Sequence, residues 1–285
     1  MKKYISTIKS ISAIAFTGLW LACPTANAQE KSKSSELSFT VGGAASYLDY
    51  KVEGADVSQG IGFNLSLDYT YFFSDYFGIS TGAEFQRFNA KTKGTNLEGA
   101  YETTDFEQEA FEFRYSLRRF EEEQKVNFLN IPLMLVFRNE EAGIYARVGA
   151  KVGLPISGKF NGSYNLSTSG YYPQYNAELF DPAFMGFGEF DNIRAERDEV
   201  ELKPSYIAAF EFGIMHRIGN GNFYSGLYLD YGLNDIADKK TAPVEYTVMS
   251  NGAGFTHNSI MNSEQAGEIR TMSFGVKLRY SFLNF

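Results

Sequence analysis

Cysteine is almost missing from this chain, and so is any long apolar run beyond its first two dozen residues. A single cysteine, Cys23, excludes a disulfide framework. With only two histidines and no Cys/His spacing that would hold a metal, no metal site is expected. No phosphate-cradling or calcium-binding loop stands in the sequence either, so no cofactor is expected. Roughly 20 consecutive apolar residues are needed to cross a bilayer as a helix, and the chain, with a mean hydropathy of −0.25, offers none. Positive charge is also in deficit, 26 Lys and Arg against 34 Asp and Glu. That is the wrong sign for a nucleic-acid partner.

What is present begins with a leader. Lys2, Lys3 and Lys9 precede an apolar run from Ile11 to Ala22, and Ala26-Asn27-Ala28 stands before Gln29. A charged start, a short apolar stretch and an A-x-A site read as a secretory signal peptide over residues 1–28. Leu21-Ala22-Cys23 leaves lipoprotein processing at Cys23 as the alternative. Removing the leader with its three lysines takes the net charge from −8 to −11. Gln29–Glu36 then reads as a short periplasmic tail, and residues 37–285 as one all-β domain.

Period-two alternation runs through most of that domain. The last stretch is among the clearest: Met272, Phe274, Val276, Leu278, Tyr280 and Phe282 alternate with Ser273, Gly275, Lys277, Arg279 and Ser281. A strand sends successive side chains to opposite faces, so one face is apolar and the other small or cationic. Similar runs occur at 37–47, 61–71, 77–85, 129–137, 144–154, 208–217 and 223–233. Each is about the length a tilted strand needs to cross a bilayer. Gly219-Asn220 between two of them is a hairpin signal. The connections alternate long and short, as the external loops and periplasmic turns of an outer-membrane barrel do. The fold expected is therefore all-β, an eight-stranded antiparallel up-and-down transmembrane β-barrel with long extracellular loops and both termini in the periplasm.

A lipocalin is also an eight-stranded barrel, with its apolar face turned inward. Three features favour lipid outside. No Asp, Glu, Lys or Arg falls on the apolar face of any run, where a Lys or Arg at mid-membrane would cost about 2–4 kcal/mol. Tyr69, Tyr71, Phe77, Phe137, Phe223, Tyr280 and Phe282 gather beside the short turns, as an interfacial aromatic girdle does. The opposite face is rich in Gly and Ser, which suits a narrow filled interior. That interior is expected to hold Asp68, Glu84, Glu211 and Asp230 against Arg147, Lys151, Arg217, Lys277 and Arg279. In so narrow a lumen such charges must pair, as a structural plug or, alternatively, as a proton or ion path. Pro132, mid-strand where no edge exists, predicts a bulge.

Three long segments, Asn89–Lys125, Pro155–Ser205 and Asn234–Glu268, carry 22 acids and 12 bases, nearly the whole negative excess. Phe111, Phe113, Tyr115 and Leu117 alternate with polar residues, which predicts a strand continuing beyond the bilayer. Tyr171, Tyr172, Tyr175, Phe180, Phe184, Phe187 and Phe190 form either a recognition surface or a self-packed lid. His257-Asn258-Ser259, with Glu264 or Glu268 as orienting acid, matches in outline the base–hydroxyl pair of a lipid A deacylase, though three residues are a weak pattern. His216 falls at the periplasmic interface.

Phe128–Phe137 (F-L-N-I-P-L-M-L-V-F), Ile144–Pro155 (I-Y-A-R-V-G-A-K-V-G-L-P) and Tyr228–Leu233 resemble the outer-membrane β-barrel family that includes PorT-like proteins. The chain is also similar to the eight-stranded barrel of OmpA-like proteins, without their peptidoglycan-binding domain. The resemblance implies a small barrel, with a secretion role in some relatives. The reading is thus a non-enzymatic outer-membrane barrel acting through acidic, aromatic-rich external loops. Its partners would be membrane lipid, lipopolysaccharide and an envelope or extracellular protein. A secretion accessory and a lipid A hydrolase are the alternatives.

Overall fold

Alternation sustained for ten or more residues calls for long strands, and long strands dominate the chain. The computed structural model describes residues 34–197, 200–239, 242–249 and 252–284. The leader, Cys23 and residues 29–33 of the expected tail lie outside them. In chain order the first seven strands are β1 (Ser34–Asp49), β2 (Ala55–Gln59), β3 (Ile61–Phe72), β4 (Phe77–Gly94), β5 (Leu97–Thr104), β6 (Ala110–Asn139) and β7 (Ile144–Tyr172). Then follow β8 (Ala177–Leu179), β9 (Gly188–Arg197), β10 (Ser205–Ile218), β11 (Gly221–Gly232), β12 (Val244–Met249), β13 (Gly252–His257) and β14 (Arg270–Asn284). Ser34 to Glu36, assigned from sequence to the tail, are the first residues of β1.

The long strands pair antiparallel in the order β4–β3–β1–β14–β11–β10–β7–β6, and β6 pairs in turn with β4. Short turns join β3 to β4, β6 to β7 and β10 to β11. Gly219, at φ 61°, takes the first central position of the last hairpin, where a primed turn asks for glycine. All three turns lie at the same end as the start of β1 and the end of β14, which pair Glu36 with Asn284.

The expected bulge at Pro132 is not there. Pairing with β7 runs through Ile131, Pro132 and Leu133 in unbroken register, and pairing with β4 keeps one register on both sides of the proline. The missing N–H interrupts the ladder to β4 without shifting it. The Thr81 hydroxyl donates to the Pro132 carbonyl at 2.8 Å in that gap.

The larger difference concerns the long segments. Much of Asn89–Lys125 and Pro155–Ser205 is not loop: β4 continues to Gly94, β6 begins at Ala110 and β7 continues to Tyr172. Along these strands the geometry persists while the polarity reverses. On β6 the inward side chains are Met134, Pro132 and Asn130 in one half, then Phe128, Val126 and Phe120 in the other. The outward ones change from Leu135, Leu133 and Ile131 to Lys125, Glu123 and Glu121. The same reversal falls between Gln86 and Phe88 on β4, and between Gly153 and Phe160 on β7. Register shifts at Asn127/Phe128 and Leu117/Arg119 accompany it. One half of the sheet is thus apolar outside and charged inside, and the other is charged outside and apolar inside.

That second half, here called the extension, encloses the main hydrophobic core. Phe88, Phe111, Phe113, Phe120, Phe128, Tyr164 and Phe187 are buried there with Ile260, Met261 and Ile269 from the segment before β14. The β12–β13 hairpin closes it, with Tyr246 edge-on to Phe111 at 5.1 Å.

Candidate functional site

In the outward-apolar half, register decides which charges meet. Glu211 of β10 stands opposite Arg147 of β7, and Arg279 of β14 lies between Thr40 of β1 and Tyr224 of β11. Asp68, Glu84, Arg147, Lys151, Glu211, Asp230, Lys277 and Arg279 all point inward and are at most 5% exposed. Lys151 Nζ donates to Glu84 at 2.7 Å and to Asp230 at 2.8 Å. Lys277 Nζ donates to the second oxygen of Glu84 at 3.0 Å. Arg279 pairs with Glu211, which also accepts from the Tyr145 hydroxyl at 2.9 Å. Arg147 lies 3.5 Å from Asp68 and 3.8 Å from Glu211, and Asp68 accepts from Ser66 and Thr40.

Of the nine expected members, Arg217 is not part of the cluster. It is exposed, two residues from the hairpin turn at the mouth of the interior, where parity alone no longer implies burial. Its absence leaves four acids and four bases, a neutral set. The small residues of this face make room for them: a Cβ on Gly42 would sit 2.8 Å from Lys277 Cγ, and one on Gly226 would sit 2.4 Å from the Tyr145 hydroxyl. Between the charged side chains remains a gap of about 10 Å³, room for one water at most.

Nearer the turns lies a second buried pair that sequence reasoning missed. Arg138 bonds to Glu36, its guanidinium 3.5 Å above the Phe72 ring. Glu36 also accepts from Asn222 and from the Tyr224 hydroxyl, each at 2.8 Å. Both partners stand at strand ends, Glu36 having been assigned to the tail. The inward parity of Arg138, two residues past Val136, was the available signal.

The outward face carries Leu133 at 63% exposure and Leu135 at 59%, and, as far as Arg87 at its edge, no charged residue among those described. Tyr69, Phe77, Tyr280 and Phe282 are exposed at the turn end of this band, and Tyr71, Phe137 and Phe223 are half-buried among them. Phe77 pairs with Phe137 across β4 and β6, ring centres 5.5 Å apart. His216 is exposed beside Phe223.

In the extension, one carboxylate organises the last connection. Glu122 is fully buried and accepts from the Ser259 hydroxyl, the Ile260 N–H at 3.1 Å, Gln124 at 2.8 Å and the Tyr164 hydroxyl at 3.1 Å. Burial pushes its carboxyl above the usual range, against these four donors. His257 stacks on Tyr164 with ring centres 4.9 Å apart and planes nearly parallel, and burial pulls its imidazole down to about 4. Ser259 is therefore bound to Glu122, not to His257. Glu264 and Glu268 are exposed, the latter paired with Arg270. The three-residue pattern is not assembled as a base–hydroxyl–acid set.

The aromatics of Pro155–Ser205 divide. Tyr172 and Phe187 are in the core. Tyr171 lies half-buried 4.6 Å beneath Arg114, and Phe190 packs on Phe255. Tyr175, Phe180 and Phe184 are exposed at the far end of the extension.

An apolar outward band over a buried charged cluster is the pattern of an outer-membrane β-barrel protein. The family model described as outer membrane protein beta-barrel domain matches residues 27–238, well over half of the chain. The chain belongs to that family. No curated protein matches it. Among solved structures it is similar to Ail, the attachment invasion locus protein of Yersinia pestis, in complex with the heparin analogue sucrose octasulfate. That likeness has 12% identity, covers 90% of this chain and 100% of the other, and has a TM-score of 0.32. Neisserial surface protein A (NspA) is similar at 8% identity over 87% of this chain and 99% of that one, TM-score 0.33.

Proposed function

We propose that the eight long strands close into a transmembrane barrel whose lumen is plugged and whose extension is an external recognition platform. The cyclic order of pairing supports closure, since every one of these strands has a neighbour on both sides. On this reading the short turns and both chain ends face the periplasm, the leader is removed, and membrane lipid and lipopolysaccharide cover the apolar band. The observation that carries the functional part is the filled interior, where eight mutually paired charges enclose a gap of only about 10 Å³. A plugged barrel would act through its outer surfaces, and of these the extension carries the charged one.

Planar bilayers holding the refolded protein should show no conductance step. Stable nanosiemens openings would end the plugged-barrel reading. For recognition, the full chain should capture a surface or envelope partner that a chain with 173–197 replaced by a Gly-Ser linker does not. The secretion role implied by the PorT-like resemblance has a different signature, co-purification of secretion components with either chain. Lipid A hydrolysis would require altered lipid A mass spectra in a Ser259→Ala strain, and none are expected.

A further inference from the structure

The far end of the extension is built from three connections that each contribute exposed apolar side chains. Phe106 comes from the β5–β6 turn, Phe180 and Phe184 from the segment after β7, and Met249 from the tip of the β12–β13 hairpin. Their exposures are 39%, 66%, 58% and 53%. The pieces are tied to each other. Phe106 and Phe184 rings lie 6.4 Å apart, and Gly252, paired with Met249, approaches the Phe184 backbone so closely that a Cβ there would sit 2.3 Å from its carbonyl.

The backbone beneath is also fixed. Thr168 donates to the Gly186 carbonyl at 2.7 Å, and Asp105 accepts the Tyr172 hydroxyl at 2.9 Å and the N–H groups of Glu107 and Glu109. Large exposed aromatics and a methionine on a rigid support are what an interface core presents.

The rim has one sign. Residues 105–109, 173–186 and 246–253 contain no Lys or Arg, and their acids at the surface are Glu107, Glu109 and Asp181, with Glu178 beside them and Asp105 buried beneath. Arg114, a cation nearby on β6, is already held by Glu112 and Glu178. An apolar centre bordered by Glu107, Glu109 and Asp181 disfavours an anionic membrane, and it disfavours a second copy of the same tip, because like charges would meet. We propose that this tip docks a protein segment with apolar anchors flanked by Lys or Arg. The proposal rests on the recognition reading above and names the chemistry of its partner.

The test uses the full chain in phosphatidylcholine nanodiscs. The probes are a synthetic Lys-Leu-Phe amphipathic peptide and its Glu-Leu-Phe counterpart. Wild type should bind the cationic peptide and not the anionic one. Phe180→Ser/Phe184→Ser and Glu107→Gln/Asp181→Asn should each weaken binding about tenfold, with unchanged heat-modifiable gel mobility showing that the fold is kept. Equal binding of both peptides, or cationic binding untouched by both variants, would overturn the proposal. A partner captured by the tip variants but lost from the 173–197 replacement would remove the tip proposal and leave recognition standing. Capture by neither the wild type nor the variants would remove both.

Discussion

Neutrality of the buried cluster can be tested with a double-mutant cycle at Glu84 and Lys277. Glu84 accepts from Lys151 at 2.7 Å, Lys277 at 3.0 Å and Asn130 at 2.9 Å. Glu84→Gln leaves the interior with one uncompensated positive charge, and the other acid near Lys277 is Asp230 at 4.0 Å. Removing one partner of a buried pair costs about 3–5 kcal/mol. Lys277→Met leaves one uncompensated negative charge and a similar cost. The double variant restores balance, with Asp230 still on Lys151, Glu211 on Arg279 and Asp68 near Arg147. Its destabilisation should be smaller than that of either single variant, not the sum of two, so the coupling is at least about 3 kcal/mol. Urea unfolding in phosphatidylcholine vesicles, followed by far-UV circular dichroism, reads this directly. If the two costs add to within about 0.5 kcal/mol, the charges do not act as one neutral set and the reasoning is wrong.

Three further outcomes follow from the same geometry. Leu133→Arg, on the most exposed inner stretch of the apolar band, should cost about 2–4 kcal/mol in the same unfolding assay, whereas Lys125→Arg in the extension should cost nothing measurable. His257, held down to about 4 from 6.5, is neutral in the folded extension. Its contribution is therefore complete above pH 6.5 and shrinks as pH falls toward 4, by at most about 3 kcal/mol. The raised carboxyl of Glu122 works in the opposite direction, favouring the folded state as pH falls. An imidazole NMR titration of His257 with its midpoint above 6 would contradict the stacking environment described. Glu122→Leu strands the Ser259 hydroxyl and the Ile260 N–H, each about 1–3 kcal/mol when buried unpaired, and limited proteolysis should then cut the 258–268 connection first. Unchanged cleavage would mean that Glu122 is not what fastens it.

The long strands were legible where one face was uniformly apolar and the other small or charged. That pattern located the cores of β1, β3, β4, β6, β7, β10, β11 and β14, and eight of the nine expected interior charges. Arg217 failed because parity gives a direction and not a depth. The extension was harder to read for a physical reason. Beyond Asn127 the alternation on β6 continues, but charged side chains replace apolar ones outside, so the apolar residues change sides and the pattern reads as an ending. The bulge at Leu117/Arg119 then moves the inward set from even to odd positions, which is why Phe111 to Leu117 stood out as a separate segment. Glu122 gave no signal at all. Its neighbours Glu121 and Glu123 are solvent-exposed partners of Lys91, Lys93 and Lys125, and one acid among three in a row looks like a charged surface.

The reversal of polarity also bears on how the proposed recognition by the extension would work. A flexible loop loses conformational freedom on binding, at roughly 0.5–1.5 kcal/mol for each immobilised side chain. Here β6 and β7 run unbroken from the apolar band into the extension, about 18 residues beyond it and so roughly 60 Å of strand. Their inner faces are locked by Phe113, Phe120, Phe128 and Tyr164, all at most 2% exposed. The far surface is thus carried by the same hydrogen-bonded ladder that the buried charges hold in register, and it inherits that ladder's rigidity. Weakening the interior cluster should leave the orientation of Phe180 and Phe184 unchanged until the ladder itself opens. Loss of tip binding and global unfolding should therefore coincide in denaturant, and a tip that fails well before the strands would show that the extension is hinged and not continuous.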